Sequence, residues 1–409
     1  MLAAQDDAAA ARALLTPEAV RERCGNIYAA GRDEQLEHFQ IVEHRINEAA
    51  RFVLGVMRNN YPDLNIPYHA RWRHFSAGGI ERWQALKGRH DLDRRETARA
   101  AFELAITSVL LDAGAGAAWR YREVSSGQVL ERSEGLAVAS LALFEGGGFS
   151  ADPARPLRAD GRRLAAVTAD ELVAGFQVTG DNPLEGLEGR AGLLRALGAA
   201  IVSRDDICAN GRLGDLFDYF AARAGANMLP ARDILIAVLD LLGPIWPGRL
   251  SLGGIALGDV WRHRHGGGRG ADAGLVPFHK LSQWLTYSLV EPLEEAGVTV
   301  TGLEALTGLA EYRNGGLFID TGVLVPRHDA VTGLPHGPED EVIVEWRALS
   351  VILLDLLADA IRRELGRTPE QLPLARVLEG GSWAAGRVLA GERRNGAPPI
   401  TLLSDGSVF

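Results

Sequence analysis

Apolar residues recur along this chain mostly at helical spacing. Between 34 and 58 they fall at Leu36, Phe39, Ile46, Val53 and Met57 with charges between them, which predicts a helix. The stretches 95–112 (RETARAAFELAITSVLLD) and 134–145 (EGLAVASLALFE) read as helices closed by the glycine breaks GAG and GGG. Further helices are expected at 187–201, 212–223, 230–242, 278–296 and 345–365, the third of these beginning after Pro230 and stopping before GPIWPGR. Strand patterns are few: 298–302, 316–320 and 341–345. Irregular stretches at 152–163, 262–274 and 327–340 are too short to serve as domain linkers. The expected fold class is mostly α: a single compact multi-helix domain over 1–409 with a few short strands, its two lobes flanking a cleft.

Composition narrows the function more than the fold. With 47% hydrophobic and 23% charged residues the chain is ordinary for a globular protein of 409 residues. No apolar run reaches the ~18 residues of a membrane span. The alanine-rich start, MLAAQDDAAAARALL, carries Asp6 and Asp7 and lacks the basic region of a secretory signal. Cys24 and Cys208 form no metal-type pair, which with the absent signal leads to an expected cytoplasmic location. A net charge of −10 argues against broad binding to a nucleic-acid backbone. No GxxxxGK[ST], GxGxxG after a strand, GxSxG, CxxC or HExxH occurs, so nucleotide-dependent phosphotransfer, nicotinamide chemistry and the commonest hydrolase arrangements lose their usual supports.

Four stretches concentrate chemistry. IPYHARWRHFSAGG (66–79) opens a basic island: five Lys/Arg and three histidines between 69 and 90 against the single acid Glu81. Arg71 and Arg73 present planar forks suited to phosphate, with His69 and His74 beside them. The same island reads equally as a surface salt-bridged to acids elsewhere. LVPFHKLSQWLTYSLVEP (275–292) places Lys280, Trp284 and Tyr287 near one helical face with Gln283 alongside, as pocket lining or as core. LAEYRNGGLFIDTGVL (309–324) starts like a helix and sets Glu311, Tyr312, Arg313 and Asn314 before two glycines. Its reading is either an ion pair or a carboxylate base in an apolar pocket, with Asp320 as a second acid. VEWR (344–347) puts Glu345 and Arg347 on different faces of a helix, one to reach a site and the other to hold it. GDNPLEGLEGR, GGSWAAGR and the terminal SDGSVF are polar turn segments without an assignable role.

Taken together, IPYHARWRHF, LLDAGAGAAWRY, RSEGLAVASL, NPLEGLEGR, IWPGR, GDVW, LVPFHKLSQWLTYSLVEPL, LTGLAEYRNGGLFIDTGVL, EWRALSV, GGSWAAGR and SDGSVF resemble, in order, the uracil-catabolism protein four family, also called uracil-regulatable protein three. Serines stand at 382 and 407 where that pattern has threonine. The resemblance implies a route that degrades uracil through a ribosylated pyrimidine and a ring-opening enzyme similar to GTP cyclohydrolase II, a functional partner. An N-ribosylurea-type intermediate and urea follow. A second, local likeness links AEYRNGGLFIDTGVL and EWRALSVILLDLLADAIRREL to queuosine salvage nucleosidases, whose helical cores are related to DNA glycosylases. There Glu311 replaces an aspartate, while Tyr312 and Arg313 match.

Together these imply an N-ribosyl hydrolase releasing urea from a small-molecule partner, a ribosylurea or its 5-phosphate, by a chemistry that requires no cofactor or metal. Glu311 is its carboxylate, Asp320 a helper, Arg71, Arg73, His74 and Lys280 the phosphate ligands. Gln283, Tyr287, Arg313 and Asn314 contact sugar or urea, with His69, Tyr312, Glu345 and Arg347 also at the substrate. Two alternatives stay open: a metal-dependent amide or ureide hydrolase using His69, His74, His279 or His263 and His265, and a non-catalytic ligand-binding partner of the ring-opening enzyme.

Overall fold

Helices carry nearly all of the core, and each sheet among the described residues is a two-stranded pair of short strands. The structure is a computed structural model and describes residues 2–246 and 250–403. The last three residues of IWPGR and the whole of SDGSVF therefore lie outside the described residues. No helix among the described residues is long and apolar enough to cross a membrane. The chain divides into two compact units.

The first unit is formed by Met1–His69, Gly248–Gln283 and Gly302–Ser404. Its axis is the 25-residue helix Glu341–Leu365, apolar around most of its circumference and buried along most of its length. Against it pack Pro17–Arg32, Ile46–Asn60 and Tyr312–Asp320. The first of these starts at a threonine cap, Thr16, whose side chain accepts from the Ala19 N–H, with proline in the first turn. Helix Tyr312–Asp320 is also covered by Trp383–Arg394, and a π-helical turn, Leu378–Ser382, leads into that last helix.

The second unit comprises Ala70–Pro247 and Trp284–Thr301. Helix Arg94–Leu110 is buried over its last thirteen residues almost without a break and packs on Arg132–Glu145 and Asp215–Arg223. Asp93 caps it by accepting from Glu96 N–H at 2.8 Å. Its buried Glu103 is held by Arg212 through two hydrogen bonds of 2.7 and 2.9 Å, as a buried charge requires. The expected strand at 298–302 is present as Thr299–Thr301, parallel to Met228–Pro230.

Three expectations from periodicity give way. Residues 316–320 are not a strand but the end of helix Tyr312–Asp320, which begins at the capping carboxylate of Glu311. Residues 341–345 are the first turn of the long helix. There the β-branched Val342, Ile343 and Val344 are all buried, so packing overrides their strand preference. The helix expected over 34–58 begins only at Ile46. Phe39–Ile41 pairs instead with Leu324–Pro326 as an antiparallel strand.

Candidate active site

In the first unit the candidate residues gather at the start of helix Tyr312–Asp320. Glu311 sits in extended backbone, and its Oε2 and Oε1 accept from the N–H groups of Arg313 and Asn314 at 2.8 and 2.7 Å. The carboxylate thus closes the open end of the helix, where the backbone dipole favours negative charge. Its residue is only 9% exposed. Asn314 is fully engaged: its amide nitrogen donates to the Leu309 carbonyl, and its oxygen accepts from Ser382 Oγ at 2.8 Å. Arg313 has no carboxylate partner among the described residues. Its guanidinium lies 5.1 Å from the Tyr312 ring centre and 6.0 Å from that of Trp383.

Two glycines follow for a packing reason. A Cβ at Gly315 would come within 2.7 Å of the Trp346 indole and 2.8 Å of Ser350 Oγ, so the long helix lies flush against this backbone. At Gly316 the nearest atom, on Pro399, stands 3.1 Å away. Both glycines are thus closely packed.

Behind Glu311 stands Arg347. Its Nε donates to the Ala310 carbonyl at 3.0 Å, and its two Nη atoms reach the two oxygens of Asp259 at 2.8 Å each. Burial by itself would raise the Asp259 carboxyl. Arg347, the Trp261 indole N–H and the Lys280 backbone N–H outweigh it and hold the group far below the usual carboxylate range. Glu345, two residues earlier, faces elsewhere: its Oε1 accepts from Phe39 N–H at 2.8 Å and His38 N–H at 3.2 Å. Gln283 is fully buried, accepting from the Thr307 N–H while its Nε2 has no hydrogen-bond partner among the described residues.

His69 belongs to the same unit. Its Nδ1 is 2.7 Å from Glu379 Oε2, and its ring lies 5.6 Å from that of Trp383, the indole that also underlies Arg313. Asp320 stands at the other end of the helix, about 13 Å from Glu311 at 1.5 Å per residue. Both of its oxygens are taken by Arg394, at 2.8 and 2.6 Å. It is the partner of an ion pair, not a neighbour of Glu311.

The second unit holds Arg71, Arg73, His74 and Tyr287. Each cation of the basic island has an acid drawn from a distant stretch: Arg71 with Asp112, Arg73 with Glu291, Arg82 with Glu123, Lys87 with Glu295 and Arg89 with Glu145. The salt-bridged reading of that sequence thus describes the geometry. Arg71 is the special member, with no exposed surface. Its Nε donates to Ser108 Oγ and its Nη1 to the Ser133 carbonyl, while Nη2 has no hydrogen-bond partner among the described residues. Burial lowers its pKa, with Asp112 opposing. His74 meets Trp284 edge-on at 5.6 Å, and Tyr287 is fully buried.

The residues that pattern reading missed are Asp259, Glu379, Ser382 and Trp383. Three lie in or next to GGSWAAGR and the fourth in GDVW, so the motifs were visible while their partners, far away in sequence, were not. Among the described residues, no three His, Cys, Asp or Glu side chains are grouped to hold a metal ion.

Comparison with known proteins supplies the context. Residues 13–409 match the protein family described as protein of unknown function (DUF1688). The chain is 40% identical over 405 residues to Protein urg3 of Schizosaccharomyces pombe, covering 97% of this chain and 98% of that protein. It is 38% identical over 417 residues to Uracil catabolism protein 4 of Lachancea kluyveri, covering 93% and 94% respectively.

Proposed function

The chain belongs to the DUF1688 family, and we propose that it acts in uracil catabolism as an N-ribosyl hydrolase, releasing urea from a ribosylurea or its 5-phosphate. The pathway is suggested by the name of the Lachancea relative. The reaction is suggested by one observation above all: the buried Glu311 carboxylate, held by two backbone N–H groups beside Tyr312 and Arg313.

Cleaving a C1–N bond of ribose builds positive charge on the sugar ring. A fixed carboxylate in a nearly dry setting stabilises that charge strongly, because it needs no reorganisation as the charge appears. Each Glu311 oxygen spends one lone pair on a backbone N–H, leaving the other for the sugar or for an attacking water. The bond from Arg347 to Ala310 fixes the residue just before it. Arg313, whose guanidinium has no salt-bridge partner among the described residues, suits the urea carbonyl or a ribose hydroxyl. In this reading Asp320 is structural, since Arg394 occupies it.

The test is urea release. Purified protein freed of metal is incubated with N-ribosylurea and with its 5-phosphate, alongside Glu311→Gln. Wild type yields urea, and the variant falls by about 10²–10⁴-fold, the usual worth of a positioned acid–base group. Absence of urea from both substrates would contradict the proposal and favour a ligand-binding role.

A further inference from the structure

The second unit holds a cavity of about 410 Å³ that the hydrolase reading leaves unused. Its charged side is Arg94, Arg95 and Asp218, and its apolar side is Phe217 with Ala221, Ala222 and Ala296. The two arginines begin helix Arg94–Leu110, and Phe217 to Ala222 belong to helix Asp215–Arg223 packed against it. Ala296 directly follows helix Lys280–Glu295. Arg94, Arg95 and Ala222 are exposed, so the cavity is open to solvent.

We propose that this cavity binds a phosphate monoester carrying a compact apolar group. Such binding is independent of the reaction assigned to Glu311. Among the described residues, Asp218 is the one carboxylate lining the cavity, and both of its oxygens are engaged, by Arg95 Nε at 2.6 Å and Arg99 Nε at 2.7 Å. Its single charge is thus divided between two arginines. Arg94 donates its Nε to the Glu295 carbonyl at 2.9 Å and has no salt-bridge partner among the described residues. A cation in the first turn of a helix opposes the backbone dipole, a cost that a bound anion would offset. Guanidinium groups keep their proton, so this charge persists at any working pH. Two planar forks side by side suit the several oxygens of a phosphate dianion.

The groups are held in place by the fold itself. A Cβ at Gly297 would come within 2.8 Å of Arg94 Nη2, so that guanidinium lies close over bare backbone while the Glu295 carbonyl fixes its Nε. Asp218 ties Arg95 and Arg99 of one helix to its own. Phe217 is braced edge-on by Phe102, ring centres 5.7 Å apart. Preformed walls reduce the ordering cost of binding.

Size and lining select the rest of the ligand. The volume falls within the ~300–1,000 Å³ usual for small-molecule sites. Three alanine methyls beside one aromatic ring leave room for a flat apolar group, which a bare ion would not fill.

Phenyl phosphate is the probe, with inorganic phosphate and benzyl alcohol as its two halves. Each is titrated into the full chain by calorimetry, for wild type, Arg94→Gln, Ala222→Phe and Glu311→Gln. Methyl spectra of alanine-labelled wild type locate the bound probe. Saturable binding of phenyl phosphate is expected, at least about tenfold tighter than either half, with the signals of Ala221, Ala222 and Ala296 shifting. Arg94→Gln should weaken it by at least about tenfold, the usual worth of a charge-assisted contact. Ala222→Phe should do the same by filling the cavity, and Glu311→Gln should bind as wild type does. Should Arg94→Gln fail to fold, Ala222→Phe decides the matter. No saturable binding, equal affinity for inorganic phosphate, or affinity unchanged in the cavity variants would overturn the inference. So would binding lost in Glu311→Gln, which would place the probe at the other site. Urea release by wild type bears on none of these outcomes, so the two proposals fail separately.

Discussion

Arg347 and Asp259 face each other through two parallel hydrogen bonds of 2.8 Å, 88 residues apart in the chain, and the same guanidinium holds the carbonyl of Ala310. A helix, a strand end and the residue before Glu311 are thus fixed by one buried pair. Phe278 closes the other side of the guanidinium, 4.1 Å from ring centre to Cζ.

Breaking one side of such a pair leaves a buried charge uncompensated. Asp259→Asn is expected to cost about 3–5 kcal/mol, read as a lowered midpoint in urea unfolding at pH 7. Because the folded Asp259 carboxyl lies below its ordinary value, its contribution is complete above the unfolded-state pKa of about 4 and is lost as pH falls further. The gap between wild type and Asp259→Asn should therefore narrow between pH 5 and pH 2; a constant gap would contradict this account of the pair.

The adjacent glycines 315 and 316 give a sharper contrast. Alanine favours a helix over glycine by about 1 kcal/mol, yet at 315 the new methyl would press on Trp346 at 2.7 Å. Gly315→Ala is expected to destabilise by about 1–3 kcal/mol through overpacking. Gly316→Ala, facing Pro399 at 3.1 Å, should cost clearly less. Thermal unfolding of the two variants side by side decides it, and equal midpoints would sink the packing explanation.

At the far end of the same helix, Asp320 is bound on both oxygens by Arg394. Asp320→Asn should lower stability by about 1–3 kcal/mol, the cost of leaving a charged hydrogen-bond partner unmatched. Its urea release per folded molecule should stay within a few-fold of wild type. A loss comparable to that of Glu311→Gln would return Asp320 to the reacting centre.

Both cysteines are expected to be inert in the native protein. Cys24 is fully buried, and burial pushes the Cys208 thiol up to about 12, so neither is a thiolate near neutrality. A thiol reagent at pH 8 should label neither in native protein and both in urea. Rapid labelling of the native protein would show that one of these regions opens readily.

Much of this was legible before the structure. The helical content followed from periodicity, and the stretch around Glu311 stood out by composition. Reading direction failed there: the apolar run after Asn-Gly-Gly looked extended because nothing local reveals Trp346 filling the glycine groove. The Val342–Val344 run misled in the same way, since strand-like residues become helical once every face is buried. The basic island looked anionophilic because its acids, from Asp112 to Glu295, lie elsewhere in the chain. Glu379 and Asp259 escaped for the complementary reason: each matters through a partner 310 or 88 residues away.

In the proposed hydrolase, water attacks the sugar carbon at the Glu311 carboxylate and not the urea carbonyl. Hydrolysis of N-ribosylurea in ¹⁸O-water, quenched at once with borohydride, reads this directly. Intact, unlabelled urea and one ¹⁸O at C1 of the reduced sugar are expected, both lost in Glu311→Gln. Labelled carbon dioxide and ammonia in place of urea would contradict this and make the protein a ureide hydrolase.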